Sequence, residues 1–375
     1  MRPKLLLVGR GRYSLPLSPS LAQKFDALEQ ELDVRVLGSG ARVDGRDPRF
    51  RLFPPLRPRL LDGPAFYAML PFRVARELRA FRPDAVLAQG AQETALALLG
   101  RALARVPAPV LADVHGDPGS GTRLYGSRLR RLLSPLGDAL ARYGLRRADG
   151  VRTISAYTSG VVRSAGVEPT ATFAAFMDLD PFLASPPIPP PDRPTALFVG
   201  VLERYKGIDV LADAWRFAAP RAPEATLHLV GRGTLRNVVE QLVRELPEQT
   251  AWTEQLPTRG VAKALDASSV LVLPSRSEGL GRVVVEAFCR GRGVLASSVG
   301  GIRDLVTDGK DGVLVPPGDV QALADELVRV LGDRDLLQRL GAEARLSVEP
   351  WLATPEEYAR RLRDLVEQVV SSHSE

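Results

Sequence analysis

The chain has 375 residues, 45% hydrophobic and 25% charged, values that suit two ordinary globular cores and exclude a disordered or fibrous chain. A single cysteine, Cys289, excludes a disulfide framework and fits a reducing compartment, so the cytoplasm is expected. Net charge is +6 and pI is near 9.7, but residues 1–180 carry 27 basic against 17 acidic side chains and residues 181–375 carry 23 against 27. The basic N-terminal half can attract anionic substrates, an acidic membrane surface or nucleic acid, and the count alone does not choose among them.

In chain order, the apolar run Lys4 to Gly9, a helical pattern through Leu21, Phe25, Leu28 and Leu32, and a second run at Val34 to Leu37 read as strand, helix, strand. The alternation continues with helices near Phe72 to Phe81 and Glu93 to Ala104 and strands at Ala85 to Ala88 and Val110 to Val114. Strands that read as unbroken apolar runs are buried on both faces, which implies parallel sheet covered by helices. Residues 185–194 hold six prolines and read as a semi-rigid linker. The rhythm then restarts, with strands at Ala196 to Val199, Thr226 to Val230, Val270 to Leu273 and Gly293 to Ala296. Helices are expected near Ile208 to Phe217, Leu235 to Leu246, Arg282 to Arg290 and Val320 to Leu331. The division expected is 1–185, a linker at 186–194, 195–350, and a final amphipathic helix within 351–375 that packs back on the N-terminal domain. No apolar run approaches the roughly 18 residues of a membrane span, and the N-terminus lacks a signal-like apolar region.

The most informative stretch runs from Pro274 to Phe288, where an apolar strand is followed by a glycine-bearing loop and a helix near Arg282. Amides at a helix start lack internal partners and carry partial positive charge, so Gly279, Leu280 and Gly281 can hold an anion, phosphate above all. Glu278 in the loop and Glu286 two turns on can accept hydrogen bonds from sugar hydroxyls. Two cations, Arg204 and Lys206, also lie between a strand and a helix, at the sheet edge where open α/β folds bind ligands. Gly231 and Gly233 form a third turn of this kind. Each segment taken alone also fits a solvated turn.

Together these segments resemble the family 4 glycosyltransferases, retaining nucleotide-sugar enzymes of the GT-B fold. The glutamate, seven residues, glutamate pattern is met by Glu278 and Glu286, the lysine-glycine pair by Lys206 and Gly207, and the glycine turn by Gly231 and Gly233. Gly300-Gly301-Ile302, Gly309, Gly312 and Pro316-Pro317-Gly318 are similar too. The resemblance implies two Rossmann-like parallel-sheet α/β domains facing a central cleft. It also implies that Glu278 contacts the donor sugar, that Glu286 contacts the ribose, and that Lys206 with the Gly279 to Gly281 amides holds the diphosphate. His115, at a strand end in Asp113-Val114-His115-Gly116-Asp117, matches a histidine that touches donor sugar or acceptor in the family; a purely structural role is the alternative. Two departures stand out: Val201 replaces a frequent arginine, leaving Arg204 to supply that charge, and the N-terminal glycine loop is Gly9-Arg10-Gly11-Arg12-Tyr13.

Other patterns carry less. Asp178-Leu179-Asp180 looks like a metal motif but precedes Pro181 as an ordinary turn. Gly9-x-Gly11-x-x-Ser14 lacks the third glycine of a dinucleotide loop. Asp113, His115 and Asp117 lack a second histidine cluster to complete a metal shell. Residues 52–72 mix aromatics, prolines and arginines, as a packed acceptor-site loop or a membrane-surface patch would. The reading is therefore a retaining, metal-independent transfer from a UDP- or GDP-linked sugar to an acceptor hydroxyl, with no cofactor and His115, Lys206 and Glu278 as catalytic residues. The acceptor is expected to be a sugar, lipid-linked or small molecule held mainly by the N-terminal domain, with peripheral contact to an anionic inner-membrane surface as a further expectation and nucleic acid excluded. A GT-B phosphorylase, a nucleotide-sugar epimerase and a non-catalytic basic module are the alternatives.

Overall fold

A computed structural model of the chain describes residues 2–42, 45–54, 62–117 and 134–374. The chain forms two compact units: Met1–Phe176 together with Ala353–Glu375, and Met177–Leu352.

The first unit comprises β1 (Lys4–Leu15), α1 (Pro19–Glu31), β2 (Asp33–Arg42), β3 (Phe50–Phe53), α2 (Asp62–Phe81), β4 (Ala85–Gln89), α3 (Ala91–Ala104), β5 (Val110–Val114), α4 (Ser134–Arg147), β6 (Gly150–Thr153), α5 (Ala156–Ser164) and β7 (Ala171–Thr172). Its strands are parallel in the order β3-β2-β1-β4-β5-β6-β7, so the order reverses between β1 and β4. Leu5 and Leu7 face a core shared with Phe25 and Leu28 of α1, while Leu6 and Val8 face α2 and α3, as the two-residue side-chain period of a strand requires. β1 is longer than its apolar run: the register shifts between Val8 and Arg12, and the strand then re-pairs Arg12–Leu15 with Ser39–Arg42. Gly9 to Tyr13 is thus a bulged strand and not a loop.

α2 extends ten residues before Phe72, passing through Pro71. The missing proline N–H is tolerated because Phe66, Leu70 and Val74 are buried on both sides of it. Of the mixed stretch 52–72, Leu52 and Phe53 lie in β3 and Asp62 to Phe72 in α2, while 55–61 fall outside the described residues.

The second unit comprises β8 (Thr195–Val199), α6 (Ile208–Ala218), β9 (Thr226–Val230), α7 (Arg236–Glu245), β10 (Thr250–Thr253), α8 (Thr258–Asp266), β11 (Val270–Leu273), α9 (Arg282–Cys289), β12 (Gly293–Ser297), β13 (Gly312–Val315), α10 (Val320–Leu331) and α11 (Arg334–Leu346). The parallel order β10-β9-β8-β11-β12-β13 reverses between β8 and β11. Val270 to Leu273 are wholly buried, which explains their unbroken apolar character. Asp319 and Asp333 cap α10 and α11 by accepting from the Ala322 and Leu336 amides.

After the second unit the chain returns to the first as α12 (Pro355–Ser374), which lays Tyr358, Leu362, Leu365, Val366 and Val369 into the core around Phe25 and Leu28. Burying each such side chain stabilises the fold by about 1.5–3 kcal/mol. Arg363 adds a 2.5 Å ion pair to Glu31 of α1.

The proline-rich segment belongs to the second unit rather than lying between two bodies. Two arginines at the end of α9 tie it down. Arg290 donates to the carbonyls of Phe182, Ser185 and Pro186. Arg292 donates to those of Ile188 and Pro189, and also to Leu265, Asp266 and Ser268. Proline removes backbone donors but leaves carbonyls that need partners, and a guanidinium with five N–H groups suits a run of them. Arg292→Ala is expected to lower stability by about 3 kcal/mol or more, the scale of losing several buried hydrogen bonds to a charged group. Urea midpoints measure this loss, and limited proteolysis within residues 185–194 should accelerate; unchanged values for both would deny the tie.

Candidate active site

In open parallel sheets, ligands bind outside the carboxyl ends of strands where the order reverses. In the second sheet those ends belong to β8 and β11, and the loops leaving them are Gly200–Gly207 and Pro274–Gly281. The two loops touch backbone to backbone. Gly207 is left-handed (φ +68°), and a Cβ there would stand 1.9 Å from the Pro274 carbonyl oxygen. This closeness brings Lys206 Nζ within 2.5 Å of Glu278 Oε2, with Ser275 Oγ 3.2 Å from the same oxygen. Arg276 reinforces the junction, donating in a fork to Asp209 at 2.6 and 2.9 Å and also to the Arg204 carbonyl. Burial pushes the Asp209 carboxyl up, but the Arg276 fork outweighs this and holds it below its ordinary value.

Glu278 is fixed from its other side as well. Gly300 (φ +51°) would place a Cβ 1.9 Å from the Glu278 carbonyl oxygen, which also accepts from the Gly301 amide at 3.0 Å. Gly279, Leu280 and Gly281 then lead into α9, whose start at Gly281 has no side-chain cap. Glu286 sits one turn into α9, buried, with Arg282 Nε 2.9 Å from its Oε1. Burial raises the Glu286 carboxyl above its ordinary value; Arg282 opposes the shift and Asp178 adds a little to it.

The remaining expected donor-site residues behave differently. Arg204 is exposed, with its backbone engaged by Gly207 and Arg276 while its side chain points to solvent. Gly231 and Gly233 lie directly under the first loop, where Cβ atoms would fall 1.8 and 2.4 Å from the carbonyl oxygens of Gly200 and Leu202. The Gly231 amide donates to Thr253, and the Thr234 amide and hydroxyl both donate to the Glu203 carboxylate. That third turn packs closely against the first loop, with the Gly231 amide already engaged.

In the first unit, His115 follows the end of β5, half exposed, with Nε2 2.8 Å from Asp113 Oδ2. Asp113 is buried, and its other oxygen accepts from Arg152 Nη1 at 2.6 Å. Arg152, on β6, is fully buried, stacks 4.2 Å over Phe173, and donates to the carbonyls of Phe173 and Ala174. Burial alone would raise the Asp113 carboxyl, yet Arg152 and His115 hold it well below the usual carboxylate range. Gln89, Gly90, Gln92, His115 and Asp117 line a cavity of about 260 Å³ at the ends of β4 and β5. Nearby, the Glu93 carboxyl accepts from the Tyr67 hydroxyl at 2.9 Å and is raised by burial.

Sequence reasoning missed Arg152, Arg276 and Asp209. A lone arginine inside the apolar strand Gly150-Val151-Arg152-Thr153 was the available signal for the first; Arg276 stood inside the motif itself, but its partner 67 residues away could not be read. Among the described residues no group of three histidine, cysteine, aspartate or glutamate side chains could hold a metal ion.

The family model described as "Glycosyl transferases group 1" matches residues 184–347, and that described as "Glycosyl transferase 4-like domain" matches residues 18–173. The 2-deoxystreptamine glucosyltransferase of Streptomyces kanamyceticus is 30% identical over 258 residues, 62% of this chain and 66% of that protein. The alpha-D-kanosaminyltransferase of the same organism is 30% identical over 155 residues, 41% of this chain and 40% of that protein. The chain thus spans less than two thirds of these curated relatives. The sucrose-phosphate synthase of Thermosynechococcus elongatus has the same fold, with a TM-score of 0.79 at 22% identity over 99% of this chain and 100% of that one. Anabaena HepE in complex with UDP-glucose gives 0.69 at 18% identity over 98% of this chain and 99% of that one. With one model covering β2 to β7 of the first sheet and the other covering both loops that join Lys206 to Glu278, the chain belongs to the group 1, family 4-like glycosyltransferases of the GT-B fold.

Proposed function

We propose that this protein transfers a sugar, with retention of configuration, from a UDP- or GDP-linked donor to an acceptor hydroxyl, and that it needs no metal ion. The observation that carries the reading is the Lys206–Glu278 pair at the strand-order reversal of the second sheet. The Lys206 ammonium touches the Glu278 carboxylate and α9 starts four residues after it, so a diphosphate held by Lys206 and that helix start leaves its sugar near Glu278. The complexes of HepE with UDP and UDP-glucose support a donor of this class.

In this reading Lys206 takes up charge as the bond from sugar to diphosphate breaks, the place that a divalent ion fills in other enzymes. Glu278 accepts from sugar hydroxyls and Glu286 from the ribose. With Glu278 engaged by Lys206 and by sugar hydroxyls, the acceptor hydroxyl attacks on the face that the diphosphate leaves, through an oxocarbenium-like transition state. His115 serves the acceptor side. Its Nε2 must carry the hydrogen, because the carboxylate of Asp113 can only accept, and neutral His115 therefore presents the Nδ1 lone pair to an incoming hydroxyl. Arg152 keeps Asp113 ionised, so Asp113 stays an acceptor for the Nε2 hydrogen.

Lys206→Ala should lower turnover by roughly 100- to 1000-fold with the fold intact, the loss expected for one preorganised donor, and wild-type activity should survive EDTA. Magnesium-reversible loss on chelation would overturn metal independence, and product analysis separates transfer from phosphorolysis and epimerisation.

The glutamates should divide their work: Glu286→Ala weakens nucleotide and nucleotide-sugar alike, whereas Glu278→Ala spares the free nucleoside diphosphate and damages sugar binding or turnover. Equal loss of nucleotide by both variants would defeat this division.

Ribose hydroxyls donate to the ionised form of Glu286, whose proton is held more tightly than usual. Nucleotide affinity should therefore fall as pH drops through a value above the ordinary glutamate range, and Glu286→Gln should flatten that profile. Calorimetric titration across pH tests it; an unchanged slope in the variant would assign the dependence elsewhere.

A further inference from the structure

α2, α3 and α4 cover one face of the first sheet, with α3 in the middle: Gly100 of α3 meets Pro71 and Val74 of α2, and Gly144 of α4 meets Ala91 and Ala95 of α3. Their buried sides face the strands, so their exposed sides form one outer surface. That surface is unusual in composition. α2 presents Met69 and Phe72, the latter 68% exposed, followed by Arg76 and Arg79. α3 presents Leu99 and Leu103, with Arg105 at its end. α4 presents Tyr143 between Arg142 and Arg146. No acid on the three helices is exposed. Glu77 is buried against Arg35 and Glu93 against Tyr67, while Asp149 just beyond α4 is paired with Arg101.

We propose that this face docks on an anionic lipid surface. Large apolar side chains alternate with unneutralised arginines over three adjacent helices, the pattern that satisfies acyl chains and anionic headgroups together. Burial, and after it the neighbouring Arg76, lower the affinity of Arg73 for its proton. A second copy of the chain does not fit this face, because two surfaces with an excess of arginine would meet. Nucleic acid leaves Met69, Leu99 and Leu103 without a partner, for aliphatic side chains gain little from phosphates and offer no ring to stack on.

The test is co-sedimentation of the full chain with phosphatidylcholine vesicles, with and without about 30% phosphatidylglycerol, at about 50 mM salt and at several-fold higher salt. The protein should pellet with the anionic vesicles and release as salt rises. Each basic side chain at such a surface multiplies partitioning roughly fivefold, so Arg76→Glu with Arg142→Glu should lower it by about 25-fold or more. Phe72→Ser with Tyr143→Ser should lower it too, leaving a weaker and more salt-sensitive remainder. Unchanged thermal unfolding of each variant shows that the fold is intact. The proposal is overturned if the chain stays in solution with anionic vesicles at low salt, if it pellets equally without phosphatidylglycerol, or if charge reversal changes nothing. It is also overturned if the chain dimerises without lipid and the Phe72→Ser, Tyr143→Ser pair dissolves the dimer.

Discussion

The Lys206–Glu278 pair depends on the contact between the Gly207 backbone and the Pro274 carbonyl. A side chain at 207 would occupy the space of that oxygen, so only glycine lets the loops after β8 and β11 meet. Their meeting places an ammonium and a carboxylate, 72 residues apart in sequence, at 2.5 Å. The Arg276 amide, donating to the Tyr205 carbonyl at 2.7 Å, and the Arg276 guanidinium, gripping Asp209, make the same junction from main chain and side chain at once. On the far side the Gly300 turn presses against the Glu278 carbonyl. Charges held this way need little rearrangement when charge develops on a ligand, which is where electrostatic catalysis draws its strength.

Arginine is the second organising element. Of 50 basic residues only five are lysine, a bias that composition alone would attribute to the genome. Arg152, Arg290 and Arg292 are nonetheless among the largest fully buried side chains of the protein. Each works as a clamp for main-chain carbonyls: Arg152 at Phe173 and Ala174, and Arg290 and Arg292 along the proline-rich segment. Lysine, with three donors at a point, could not span carbonyls from successive residues in this way. The same residue type that gives the N-terminal half its positive charge is thus a structural material in the interior, and a net-charge count cannot tell the two uses apart.

This explains how far the sequence could be read. Both parallel sheets were legible because buried parallel strands such as Val110–Val114 and Val270–Leu273 are apolar without interruption. The Lys206 and Glu278 loops were legible because glycines mark strand-to-helix turns. What escaped were features set by contacts distant in sequence. The second half of β1 has no apolar run, and its pairing depends on a bulge that only β2 defines. The prolines of 185–194 look like a spacer until their carbonyls are seen to face Arg290 and Arg292. Gly231 and Gly233 resemble a phosphate turn, but their close packing on Gly200 and Leu202, some thirty residues earlier, could not be read. Asp113 drew notice as a candidate metal ligand, whereas its partner is an arginine 39 residues on.

The placement of α12 has a consequence for how the protein comes to be made. Its residues cover Phe25, Leu28, Val34 and Leu111, yet they are synthesised after the whole of the second unit. While the chain grows, the first sheet has one apolar face partly open to solvent, and it stays so through the translation of Met177–Leu352. The second unit, continuous in sequence, can complete its core before the unit that precedes it. Order of synthesis and order of completion are therefore reversed in this chain.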